Sequence, residues 1–114
     1  MYDLTKRNGI YYKKFSDVPF NGMITGNPQG EFKNGKREGI WVWENKNGYV
    51  NTKGFYKNGK EEGTWVTYYD NGQLSDKGKY KNGKFDGPWI LYNLDGSINP
   101  KYTGVFDNGV KISD

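Results

Sequence analysis

Carboxylates recur just ahead of a glycine in this chain, at Glu38, at Glu61 and Glu62, and at Asp86, with Asp70 and Asp95 close to further glycines. Two such acids roughly 5–10 Å apart and unequally buried could hydrolyse a glycosidic bond. Here they fall at repeated turn positions, where solvated charge is expected, whereas a catalytic residue is ordinarily a singular position. The 114 residues contain no histidine and no cysteine. That removes imidazole bases, thiolate nucleophiles, disulfides and cysteine-based zinc sites. The expectation is a protein that is not an enzyme and uses no cofactor or metal.

The lysines form a more orderly set. Lys33 and Lys36 flank one Asn-Gly pair, Lys57 and Lys60 the next, and Lys81 and Lys84 a third. If these pairs are hairpin corners on one margin of a sheet, the six ammonium groups form a row over about 20 Å. Such a row could attract an acidic protein, phospholipid headgroups or nucleic acid. The plainer reading is solubility, since charged corners keep β-sheets from associating. With 17 Lys and Arg against 13 Asp and Glu, the net charge of +4 is small for a dedicated nucleic-acid binder. No apolar run approaches the roughly 18 residues that span a bilayer, and the start of the chain has no signal-peptide core. The compartment and the oligomeric state are left open by the sequence.

What must position these residues is a repeat. Gly30-Glu31-Phe32-Lys33-Asn34-Gly35-Lys36-Arg37-Glu38-Gly39-Ile40-Trp41 returns as Gly54 to Trp65 and again as Gly78 to Trp89, a 24-residue period. A truncated copy starts at Gly104, 26 residues on, with the two extra residues placed around Asn99-Pro100. Asn-Gly or Asp-Gly pairs begin at 34, 47, 58, 71, 82, 95 and 108, and both dipeptides suit the type I′ hairpin. The stretches between them have room for one strand each. Composition agrees: only 33% of residues are apolar, but 18% are aromatic, so rings must supply the core. The predicted fold is all-β, an extended, twisted antiparallel meander of stacked 24-residue hairpins with about nine to eleven strands. Residues 1–29 read as a leader or capping hairpin, 30–103 as three repeats, and 104–114 as a truncated capping repeat.

Alternation assigns the two faces. Trp41 and Trp43 share a face, as do Trp65, Thr67 and Tyr69, and Trp89 and Leu91. The opposite face carries Ile40 and Val42, Val66 and Tyr68, and Ile90 and Tyr92. Trp41, Trp65 and Trp89 are expected in the core, and the strand glycines Gly54 and Gly78 are expected to let an aromatic ring of the next strand lie over bare backbone.

The unit complete in Gly54–Gly72, Gly-x-Tyr-x-Asn-Gly-Lys-x-x-Gly-x-Trp-x-x-Tyr-Tyr-x-Asn-Gly, resembles the MORN-repeat variant of bacterial proteins commonly labelled YwqK-family antitoxins of toxin–antitoxin systems. The resemblance covers residues 30–109; Trp43-Glu44 and Tyr92-Asn93 depart from its Tyr-Tyr end. It implies an elongated sheet of stacked hairpins that binds other proteins or, in some cases, membranes. The functional expectation is a non-catalytic protein–protein interaction scaffold of antitoxin or immunity type, which neutralises a partner sterically. Its expected contact residues are the end-of-strand aromatics Trp43, Tyr68, Tyr69 and Tyr92, taken as exposed rings of the kind favoured in interface hot spots. The alternative is an anionic-surface module, for phospholipid or nucleic acid, built on the six corner lysines.

Overall fold

The structure, a computed structural model, describes residues 4–114. Residues 1–3, the start of the expected leader, lie outside the described residues. Eleven strands follow one another: β1 (Leu4–Arg7), β2 (Ile10–Lys13), β3 (Gly22–Ile24), β4 (Gln29–Lys33), β5 (Lys36–Glu44), β6 (Val50–Lys57), β7 (Lys60–Tyr68), β8 (Leu74–Lys81), β9 (Lys84–Leu91), β10 (Gly104–Asp107) and β11 (Val110–Ser113). Strands β3 to β11 make one nine-stranded sheet in sequence order, each pair antiparallel. Strands β1 and β2 form a separate hairpin. The molecule measures 48 × 33 × 17 Å, an extended meander with no helix among the described residues.

The corners are of two kinds, where a single type I′ class was expected. Asn34, Asn58, Asn82 and Asn108 have φ of 51–53°, and each precedes a glycine with positive φ, the two-residue type I′ geometry. At Gly48, Gly72 and Gly96 only the glycine is left-handed. There the residues before and after the loop bond as a pair: Asn45 N–H donates to the Tyr49 carbonyl at 2.8 Å, and Gly48 N–H returns to Asn45 at 2.9 Å. Tyr69–Gln73 and Asn93–Ser97 repeat this three-residue corner. Two-residue and three-residue corners alternate from one margin of the sheet to the other and, together with the register shifts of β5–β6 and β7–β8, produce the alternating 13- and 11-residue spacings between 34 and 95. In the leader, Asn21-Gly22 is no corner; Gly22 opens β3.

The core lies on one face and is almost wholly aromatic. Phe20, Ile24, Phe32, Trp41, Tyr56, Trp65 and Trp89 are buried, with Tyr80, Phe85 and Phe106 packed against them. The rings interlock edge to face along the sheet: Phe32–Trp41 at 5.1 Å, Tyr56–Trp65 at 5.2 Å, Tyr80–Trp89 at 5.2 Å and Phe85–Phe106 at 5.2 Å between centroids. Each tryptophan lies across the strand glycine of its own hairpin, Trp41 on Gly30, Trp65 on Gly54 and Trp89 on Gly78. The β6–β7 register skips there, so Gly63, Thr64 and Trp65 face Gly54 alone between the pairs Lys53–Val66 and Phe55–Glu62. The bulge turns the indole so that its N–H donates to the Phe55 carbonyl at 3.2 Å. Trp41 donates in the same way to Glu31, and Trp89 to Lys79.

Candidate functional site

The four end-of-strand aromatics do not come together, and none is fully exposed. Trp43 is half-buried on the aromatic face, 5.8 Å from Trp65 and 6.2 Å from Trp41 between ring centroids. Tyr69 is fastened by its hydroxyl, which donates to the Tyr92 carbonyl at 2.6 Å. Trp43 and Tyr69 therefore have packing roles that the expectation of exposed contact rings did not include. Alternation along β7 and β9 puts Tyr68 and Tyr92 on the opposite, open face. Tyr68 stands opposite Leu74 of β8, and Tyr92 closes a shallow hollow with Leu74 and Ile90.

The corner lysines do share one margin. Lys36, Lys57, Lys60 and Lys81 surround a single hollow, and the methylene stems of Lys36, Lys60 and Lys84 pass beside Gly59, Gly83 and Gly109 of the following corner. Carboxylates are woven into the row. Glu38 accepts the backbone N–H of Asn58 at 2.9 Å, and Glu62 that of Asn82 at 3.0 Å. Beside these bonds, Gly59 N–H donates to Arg37, Gly83 N–H to Glu61 and Gly109 N–H to Phe85, so successive corners are bolted together. At the first corner the leader supplies both acceptors: Gly35 bonds to the Phe20 carbonyl and Asn34 to the Asn21 side chain. The acids considered for hydrolysis thus include two that serve as structural acceptors.

Arg37, a residue the sequence reading did not single out, stands where the other repeats have Glu61 and Phe85. Its guanidinium carbon lies 4.8 Å from the Trp41 ring and within 6 Å of Tyr11, Trp43 and Tyr56. One Nη donates to the Tyr56 hydroxyl at 3.3 Å, while the enclosed Nε has no hydrogen-bond partner. Burial raises the Tyr56 phenol above its ordinary value, and Arg37 opposes that rise. Burial also raises Asp76.

Tyr80 is pushed up to about 12, first by burial and then by the nearby Glu61 and Asp76 carboxylates. A phenol that ionises later in the folded chain than in the unfolded chain holds its proton in the folded state. Its contribution is complete below pH 10 and is lost as pH rises from about 10 towards 12. Urea midpoints measured from pH 8 to 12 should fall over that window, and less steeply in Tyr80→Phe. Superimposable curves for the two proteins would refute this assignment.

The open face carries a feature of its own. Cross-strand partners run Val42–Lys53, Lys53–Val66, Val66–Lys77 and Lys77–Ile90, one unbroken row over β5 to β9. Beside it Ile40 and Phe55 face each other, 58% and 40% exposed, and Ile90 is 37% exposed. Fold and faces together define a single-layer array of β-hairpins, closed by rings on one side and open on the other. No protein-family model, no curated protein and no solved structure matches the chain.

Proposed function

We propose that the chain is a non-catalytic scaffold that binds another protein, a MORN-type array acting in the manner of an antitoxin or immunity protein by covering its partner. The observation that carries this reading is the contrast between the faces. One is sealed by interlocked rings, while the other leaves Ile40, Phe55 and Ile90 in solvent among lysines. Isolated exposed apolar side chains are ordinary, but an exposed Ile40–Phe55 pair and Ile90 on the same sheet face fit an interaction surface. The repeat unit and its bolted corners agree with a rigid platform, and Glu38 and Glu62 at those corners already have backbone partners. Glu38 and Glu62 within the lysine row favour a protein partner over a purely anionic surface.

The test uses the immobilised chain as bait in a lysate of the cells that make it. A saturable, stoichiometric partner is expected, and that partner expressed alone should arrest growth that co-expression of this chain restores. Tyr68→Ala should weaken the complex by about 2 kcal/mol, as a hot-spot ring does, with the fold retained and a smaller loss of melting temperature than Trp43→Ala. Absence of a saturable partner, or a partner whose activity continues in the complex, would refute the proposal.

A further inference from the structure

The open-face row alternates in chemistry at every strand: Val42, Lys53, Val66, Lys77, Ile90. Lys53 and Lys77 are exposed, and neither forms an ion pair within the described residues. At the Ile90 end the row opens into a hollow of about 280 Å³, walled by Leu74, Pro88, Ile90 and Tyr92 with Lys77 and Lys79 at its rim. An occupant must therefore offer apolar groups and negative charges in turn along a line that crosses the strands. It must also satisfy its own backbone, because the N–H and C=O groups beneath it are spent in the ladders of β5 to β9. A helix does so; an extended segment laid on a sheet face does not.

Resting on the scaffold reading, we infer that this row docks an acidic amphipathic helix of the partner protein. Interstrand steps are about 4.8 Å, so the five positions span about 19 Å. A helix rises about 1.5 Å per residue, so residues i, i+3, i+7, i+10 and i+14 lie on one face over about 21 Å. Apolar side chains at i, i+7 and i+14 meet Val42, Val66 and Ile90, and the last enters the hollow. Carboxylates at i+3 and i+10 meet Lys53 and Lys77.

The probe is a fluorescein-labelled 18-residue peptide with Leu at 1, 8 and 15, Glu at 4 and 11, and Ala or Gln elsewhere, followed by anisotropy. Wild type should bind it, and the double variant Lys53→Glu, Lys77→Glu should bind at least tenfold more weakly while keeping its tryptophan emission. A second peptide with Lys at 4 and 11 should prefer that variant over wild type. Lys57→Glu, Lys81→Glu at the corners should change affinity less than threefold. The inference is overturned if wild type ignores the peptide, if the swapped peptide shows no preference, or if the corner pair matters equally. It is also overturned if Lys53 and Lys77 instead govern sedimentation with phosphatidylserine vesicles. Undiminished capture of the cellular partner by Lys53→Glu, Lys77→Glu would leave the scaffold reading standing and remove this row from it.

Discussion

Gly54→Ala is expected to lower stability by about 3 kcal/mol, the upper range for forcing extra volume into a packed site. A Cβ at Gly54 would overlap the fused rings of Trp65, which cannot retreat because the indole N–H is bonded to Phe55 and the ring is packed between Tyr56 and Tyr80. The comparison is Gly72→Ala, where the new Cβ meets open space and only a left-handed backbone (φ +87°) is penalised. There a loss of about 1–2 kcal/mol is expected. Urea unfolding followed by tryptophan emission measures both. A thermodynamic cycle settles the cause: in a Trp65→Ala background, Gly54→Ala should be almost without cost. Equal costs in the two backgrounds would refute the close-approach account.

Trp41→Ala should destabilise by about 3–5 kcal/mol, the usual cost of truncating a buried large aromatic residue. Trp41 is 0% exposed and touches Phe32, Trp43 and Tyr56, with the Arg37 cation above it and a bond from its N–H to Glu31. Its loss opens a void and also strips Arg37 of the ring nearest its charge. Against a typical total of about 5–15 kcal/mol, that leaves a marginal fold. Trp43→Ala, at a half-buried ring, should cost less. A Trp41→Ala midpoint equal to wild type would show that the ring stack contributes nothing there.

The hairpins and the tryptophan core were legible because each is written as identical residues at one spacing, and spacing is what a sequence displays. That a ring covers each strand glycine was legible too, but which ring does so, the indole of its own hairpin, was not. The two corner classes were not, because Asn-Gly occurs in both and the difference lies in whether the asparagine or only the glycine is left-handed. Nor was the duty of Glu38 and Glu62, whose bonds reach 20 residues ahead to the next corner. Arg37 escaped notice because its position holds Glu61 and Phe85 in the other repeats, so only packing reveals its place among four rings. For the candidate surfaces, alternation put Tyr68 and Tyr92 on one face and Trp43 and Tyr69 on the other, but their half-burial depends on neighbours from other strands. The Val–Lys row needed strand register, which bulges shift at several positions.

The two margins of the sheet are built differently. On the side of Gly59, Gly83 and Gly109 the backbone of every corner is tied to the one before it. The loop backbone bonds at Asn45–Tyr49, Tyr69–Gln73 and Asn93–Ser97 instead close within each corner, while the Tyr69 hydroxyl reaches to Tyr92. Growth in loop length is therefore cheap on the second side and disruptive on the first, since one added residue would break two bonds between neighbouring rungs. The chain already bears the mark of this: its single departure from the 24-residue beat is housed in the turn at 99–103, beyond the self-closed corner. Variation between relatives, and any tag an experimenter inserts, should gather along that tolerant side.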